Sequence, residues 1–268
     1  MTDENPSSKP VAPVTERQQL WTMFQRFTTA RIGLKRTGAA LATEPLLDLR
    51  MAHARARDAV HAALDEARLV SQLEGCELPV VVVSSAAQSR ERYLMRPDLG
   101  RTLDPSAQAS LAPHAGAAHD VVFVISEGLS AYAVQSHAAP LLGAVLPILR
   151  AENWRIAPLI LARQGRVAIG DAIASAVRAS LVAVLIGERP GLSSPDSMGV
   201  YLTWQPTPET TDADRNCISN IRPEGIGYAD AAFKCAYMLR EMRARQISGV
   251  LLKDESDRLR VGAQEDPR

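Results

Sequence analysis

The sequence is short of cysteine, of net charge and of long apolar runs, and each shortage excludes a class of protein. The three cysteines are an odd number at irregular spacing, which makes a poor disulfide framework. Lys plus Arg total 30, as do Asp plus Glu, which argues against the clustered positive charge of nonspecific nucleic-acid binding. No run approaches the roughly 18 apolar residues of a membrane span. Residues 1–13 lack the apolar segment of a signal peptide, so we expect a cytoplasmic protein.

Motifs of a self-contained catalytic centre are missing too. There is no Gly-x-Ser-x-Gly elbow and no phosphate loop. His114 and His119 are close in sequence, but a five-residue spacing places them on different faces of a helix. Pro113 and Gly116 disfavour a regular helix there, and no Cys or Glu between the histidines adds a ligand. We therefore predict neither a metal site nor a catalytic residue in this chain.

The part of the chain from residue 76 to 252 alternates between apolar runs and helical patterns. Strands are predicted at 79–84, 120–125, 156–162 and 181–186, with an edge strand at 199–204. Helices are predicted at 131–150, broken near Pro140, at 169–180 and at 228–246. Alternating strands and helices indicate βαβ units. The prediction is an α/β domain with a Rossmann-like parallel sheet and flanking helices.

The predicted α/β domain follows a helical N-terminal region that spans residues 15–75. Apolar residues recur there at three- and four-residue steps from Leu46 to Leu64, with His53 in the stripe as an expected core histidine. Thr43 is a plausible N-cap, with Pro45 in the first turn. A disordered tail at 1–14 and a polar, frayed tail at 253–268 complete the predicted organisation.

Three polar segments stand out at the ends of predicted elements. Ser-Glu-Gly-Leu-Ser at 126–130 and Gly-Glu-Arg-Pro-Gly at 187–191 each follow an apolar run that reads as a buried strand. Ligands of open α/β sheets bind just beyond the carboxyl ends of the strands. These two loops therefore predict one shared site. The third segment, Asp-Arg-Asn-Cys-Ile-Ser-Asn at 214–220, holds a single cysteine and is too distinctive for a generic linker.

The same three segments resemble the small (light) subunit of ethanolamine ammonia-lyase. Two further stretches share the resemblance: Tyr-Leu-x-Arg-Pro-Asp-Leu-Gly-Arg at 93–101 and Gly-Arg-Val at 165–167. The resemblance runs in order from about residue 16 to residue 252. Its most specific part is Gly-Glu-Arg-Pro-Gly-Leu followed by Asp-Arg-Asn-Cys-Ile-Ser-Asn-Ile.

The resemblance implies an adenosylcobalamin enzyme built from large and small subunits. That family converts ethanolamine to acetaldehyde and ammonia through a 5′-deoxyadenosyl radical. The large subunit holds the substrate pocket, and the small subunit covers the cobalamin at the interface, which fits the missing catalytic centre. The family enzyme is often, though not always, packaged in a bacterial microcompartment.

The resemblance also implies three cofactor-binding residues, Val167, Glu188 and Cys217. Glu188 would accept hydrogen bonds from corrin amides, Val167 would offer an apolar face and backbone groups, and Cys217 would pack closely. No Asp-x-His-x-x-Gly motif is present to replace the cofactor's base. We therefore expect base-on binding, with dimethylbenzimidazole still on cobalt. Taken without the resemblance, Val167 reads as a packing residue, Glu188 equally as a turn residue paired with Arg189, and Cys217 as a buried structural thiol.

Two rival functions stay open at this point. One is a noncatalytic nucleotide-binding or regulatory α/β module. The other is a purely structural subunit that makes no ligand contact.

Overall fold

A computed structural model describes residues 16–257 of the chain. The predicted tail at 1–14 and most of the one at 253–268 lie outside these residues. The helices are α1 (Glu16–Gln25), α2 (Thr43–His61), α3 (Glu66–Glu74), α4 (Arg90–Met95), α5 (Ala107–Leu111), α6 (Ala131–Ala151), α7 (Ile169–Ala176) and α8 (Tyr228–Arg245). The strands are β1 (Arg36–Thr37), β2 (Ala40–Leu41), β3 (Val80–Ser84), β4 (His119–Ser126), β5 (Leu159–Arg163), β6 (Ala179–Gly187), β7 (Met198–Trp204) and β8 (Asn216–Ile221).

The chain forms two compact units, one up to Ala54 and one from Arg55 onward. The first holds α1, the β1–β2 hairpin and most of α2. Helix α2 begins at the predicted Thr43, but His53 is exposed, so the expectation of a core histidine is wrong. Helix α1 and the turn after it expose several large apolar side chains: Leu20, Met23, Phe24 and Phe27. The predicted domain boundary near residue 75 stays a prediction.

The second unit is built on a six-stranded sheet in the order β3-β5-β4-β6-β7-β8. Strands β3, β5, β4 and β6 run parallel, which confirms the α/β class. Strands β7 and β8 pair antiparallel, so the sheet is mixed, whereas the sequence predicted only its parallel part. No helix lies between β6 and β7, and parallel neighbours need a long crossover whereas antiparallel ones do not. The Rossmann-like detail stays a prediction.

The far edge of the sheet also differs from the sequence-based prediction. The run at 199–204 was predicted to be an edge strand, but β7 lies between β6 and β8. Strand β8 forms the edge instead, inside the polar segment that had no predicted strand. Its apolar signal is weak because only one face is buried: Ile218 and Ile221 pack inward, whereas Cys217 and Ser219 are exposed.

Two apolar clusters cover the two faces of the sheet. Strand β4 contributes Phe123 and Ile125 to the first cluster and Val122 and Val124 to the second. Helices α3, α6 and α8 pack on the first face, and α5 and α7 pack on the second. Helix α7 ends at Ala176, four residues before the predicted end.

Helix α6 runs without a break through Pro140 and Pro147, contrary to the predicted break. Both prolines are exposed, so water can satisfy the carbonyl groups that they leave unpaired. By length and composition alone α6 could cross a membrane, but half of that stretch is buried inside the fold. It packs against the sheet and α8, as a core helix does.

Candidate functional site

Glu188 stands immediately after β6, at the edge where the parallel strands end. Its backbone N–H donates to the Ser197 carbonyl at 3.0 Å, which closes the loop between β6 and β7. Its half-buried carboxylate accepts the Asn220 backbone N–H, at 3.3 Å from each oxygen. Gly199 on β7 lies beneath the Glu188 carboxylate. A Cβ atom added to this glycine would sit 3.0 Å from Glu188 Oε1. The small glycine therefore lets the carboxylate lie close against the sheet.

Cys217 lies beside this carboxylate on β8. Its register partner across the β7–β8 ladder is Tyr201. The Cys217 thiol also lies 3.3 Å from the Ser219 hydroxyl. The residue is exposed, so the expectation of a buried thiol is wrong. Cys76 and Cys235 are free and buried, as small apolar residues are expected to be.

The turn after β8 holds Asn220 in place. Asn220 has a positive φ of 58°, which asparagine tolerates better than most residues. The buried Arg222 donates from Nε to Asn220 Oδ1 at 3.1 Å and from Nη1 to Asp196 at 3.4 Å. A Cβ at Gly225 would come within 2.2 Å of the Asn220 carbonyl oxygen. Arg222 and Gly225 thus fix the N–H group that faces Glu188.

A buried ion pair connects β8 to the parallel half of the sheet. Arg215, at the start of β8, donates two hydrogen bonds to Asp171 on α7, at 2.7 and 2.6 Å. A third reaches the Thr203 hydroxyl at 3.2 Å. Bidentate pairs of this kind are strong and geometrically demanding. The pair therefore sets the position of β8, and with it that of Cys217.

Val167 lies in the turn between β5 and α7, at the same edge as Glu188. It packs, partly buried, on the second apolar cluster, as Tyr201 does. Strand β4 separates β5 from β6, which places Val167 about 10 Å across the sheet from the β6 end. Its carbonyl accepts the Gly170 N–H at the start of α7. The structure thus brings Glu188 and Cys217 within electrostatic range of each other, and places Val167 two strands away from the β6 end.

This group of residues has the chemistry of a binding surface. Desolvation by surrounding atoms, with the Glu188 charge, raises the pKa of the Cys217 thiol, although hydrogen bonds from Ser219 and Tyr201 oppose the shift. Desolvation also raises the pKa of Tyr201. Both groups therefore stay neutral near pH 7, and no thiolate nucleophile forms. Glu188 has one long hydrogen bond and keeps the capacity to accept more.

The second face of β8 is open, whereas on the same face of β7 Gly199 and Thr203 are buried and Tyr201 is half-buried. Among residues 16–257, α8 packs on the first face of β7 and β8. Helix α7 packs on the second face of the sheet, where it contacts mainly β6 and β4. Tyr201, Ser219 and Asn220 belong to this face and were not predicted as site residues. Alternation along β8 would have indicated which side chains of the distinctive segment point outward, had the strand been recognised.

These features define an α/β protein with polar side chains exposed at the end of β6 and along the edge strand β8. Across the described range, no group of three or more His, Cys, Asp or Glu side chains is placed to hold a metal ion. The family described as ethanolamine ammonia-lyase light chain (EutC) matches residues 18–253. The chain belongs to this family of lyase subunits.

Curated relatives agree with the family match over nearly the whole chain. A protein of Ralstonia nicotianae named ethanolamine ammonia-lyase small subunit is 51% identical over 262 residues, covering 96% of this chain and 95% of its own length. A protein of Azotobacter vinelandii with the same name is 49% identical over 254 residues, covering 93% of each chain. The resemblance seen in the sequence motifs is confirmed.

Proposed function

We propose that this chain is the small subunit of an adenosylcobalamin-dependent ethanolamine ammonia-lyase, and that it helps to bind cobalamin at the interface with a large catalytic subunit. The observation that supports this most is the open face around Glu188 and Cys217. These residues make a ligand-facing surface without a reactive nucleophile. The whole enzyme would convert ethanolamine to acetaldehyde and ammonia by a radical mechanism. We place it in the cytoplasm, in a microcompartment where the organism builds one.

The residues of the open face fit a broad cofactor that carries amide side chains. The Glu188 carboxylate can accept amide N–H groups, and Cys217 and Val167 offer small contacts on either side. Adenosylcobalamin supplies the radical chemistry when bound, and the protein supplies binding and orientation. Arg222 and Asn220 would keep Glu188 oriented during binding.

A large subunit as partner is supported by the name of the relatives and by the surface of the chain. The relatives are named as small subunits. In the first unit, Phe27 is 83% exposed, and Leu20, Met23 and Phe24 are exposed close to it in sequence. Clustered apolar exposure often marks an interaction site. We propose that the large subunit covers such surface in the assembled enzyme.

Reconstitution tests the proposed function. The full chain would be mixed with the large subunit encoded by the same organism, ethanolamine and adenosylcobalamin, and ammonia and acetaldehyde would be measured. We expect turnover from the mixture and none from this chain alone. Activity of the isolated chain would contradict the proposal. A large subunit that is equally active with and without this chain would contradict it too. A nucleotide that binds the chain while cobalamin does not would favour the regulatory module instead.

Base-on ligation has a separate spectroscopic test. The cob(II)alamin form of the complex would be examined by electron paramagnetic resonance, with heavy nitrogen in the protein histidines. We expect coupling to the unlabelled dimethylbenzimidazole nitrogen alone. Coupling to a labelled histidine would show that the protein replaces the base.

A further inference from the structure

A second candidate site lies on the other half of the sheet, away from the open face. Helix α6 leaves β4 toward the first face, and α7 leaves the adjacent β5 toward the second. Loops that diverge in this way open a crevice, where α/β sheets commonly bind ligands. A cavity of about 350 Å³ lies at this edge, between the loops after β3, β4 and β5 and the link from α2 to α3. That volume is within the range of small-molecule sites.

Two residues of the cavity wall carry buried acceptors without partners. Glu127, directly after β4, is 4% exposed, and its Oε1 accepts the Gln164 backbone N–H at 2.9 Å. Its Oε2 has no hydrogen-bond partner, and neither has Gln164 Oε1. Both residues line the cavity. A buried acceptor left unpaired is costly, and a carboxylate oxygen especially so. The wall therefore favours a ligand that donates at least two hydrogen bonds.

The arginines of the cavity wall are engaged elsewhere. Arg90 donates to the carbonyls of Val60 and Gly128, at 2.6 to 3.1 Å. Arg163 makes a bidentate pair with Glu66, at 2.5 and 2.7 Å. The unpaired donors nearby, on Tyr93 and Arg166, belong to residues that do not line the cavity.

The remaining wall is mostly apolar, with Ala62, Ala63, Leu64 and Ala87 among its residues. A primary ammonium carries three donors, no acceptor and a positive charge that suits a carboxylate. An alkyl chain attached to it would lie against the alanines and the leucine.

We propose that this cavity binds a primary alkylammonium group, which donates to Glu127 Oε2 and Gln164 Oε1. The group comes either from a free small amine or from a lysine side chain of the partner subunit. The loop after β5 carries both Gln164 and Val167, but the proposed site uses none of the residues assigned to cobalamin.

Calorimetric titration of the full chain with ethylammonium chloride tests the proposal. Tetramethylammonium chloride at equal ionic strength is the matched probe, because it has the charge but no N–H donor. We expect saturable binding of ethylammonium only. Glu127→Gln should weaken it by about tenfold or more, because it loses the charge and one acceptor. Glu74→Gln, an exposed carboxylate on α3, is the control and should leave binding unchanged.

A second variant and a second sample complete the test. Gln164→Asn shortens the other acceptor and should also weaken binding, which keeps the test valid if Glu127→Gln folds poorly. Binding that persists in the complex with the large subunit identifies a free amine as the ligand; binding lost on assembly identifies a partner lysine. Equal binding of both probes, no saturable binding of ethylammonium, or binding unchanged by both cavity variants would overturn the proposal. The titration contains no cobalamin, so its failure leaves the proposed function intact.

Discussion

The parallel and antiparallel halves of the sheet differ in the kind of candidate site that each one offers. In the parallel half, loops that follow β4 and β5 enclose a cavity with the buried Glu127. In the antiparallel half, the outer face of the edge strand β8 is exposed, and Cys217 lies on it. Glu188 lies where the two halves meet. The enclosed site suits a small group with few donors, whereas the open face suits a broad ligand held between two proteins.

The difference between the two halves follows from how the chain connects one strand to the next in each half. Each parallel strand needs a crossover helix, so its loops rise above the sheet edge and surround a space. The antiparallel strands are joined by the links at 188–197 and 205–215, which contain no α-helix, and one face of β8 stays uncovered within the described range. Among residues 16–257, the Arg215–Asp171 pair is the one buried ion pair that ties that face to α7.

Arg215→Met should have the largest effect, because it removes the tie between the halves. It leaves Asp171 buried without its partner, which costs about 3–5 kcal/mol of unfolding free energy. Urea unfolding of the full chain measures this loss. The double variant Arg215→Met with Asp171→Leu is the control, and it should recover most of the stability because no charge is left buried. A single variant as stable as the parent would show that β8 is positioned without the ion pair.

Glu127→Gln should stabilise the enclosed site and change its pH dependence. Desolvation raises the pKa of Glu127 above its ordinary value of 4.5. An acid whose pKa is higher in the folded state contributes stability that is present below the unfolded pKa and is lost as pH rises through the folded pKa. Glutamine cannot ionise, so the variant should exceed the parent by about 1–3 kcal/mol at pH 8 and match it near pH 4. Urea unfolding across this range measures the difference; a gap independent of pH would contradict the prediction.

Tyr201→Phe should have a small effect that is confined to the open face. It removes the hydroxyl of the residue that pairs with Cys217 across the β7–β8 ladder, and the cobalamin affinity of the reconstituted complex should fall about two- to tenfold. Tyr132→Phe, an exposed tyrosine on α6, is the matched control. Equal affinities in the two variants would exclude Tyr201 from the cofactor surface.

Sequence reasoning recovered the parallel half of the fold better than the antiparallel half. Strands β4 and β6 are buried on both faces, and their continuous apolar runs identify them. Strand β8 was missed because Asn216, Ser219 and Asn220 interrupt its apolar pattern. The α/β class followed from the alternation, but the pairing direction of β7 depends on the link before it.

The candidate sites show the same limit. Glu188 could be placed at a strand end from the sequence, because it follows the apolar run of β6. Its contact with Asn220 depends on a turn held by Arg222 and Gly225, which no local pattern reveals. The unpaired Glu127 oxygen likewise results from long-range packing.

The cobalamin affinity of the reconstituted complex with Glu188→Ala is the most direct test of the open face as the cofactor site. The dissociation constant would be measured for the parent, for this variant and for Glu209→Ala, an exposed carboxylate in the link between β7 and β8. Loss of the Glu188 acceptor should weaken binding by about 1–3 kcal/mol, or roughly 5- to 150-fold, and Glu209→Ala should not. A dissociation constant unchanged by Glu188→Ala, in a complex shown to assemble, would contradict the assignment.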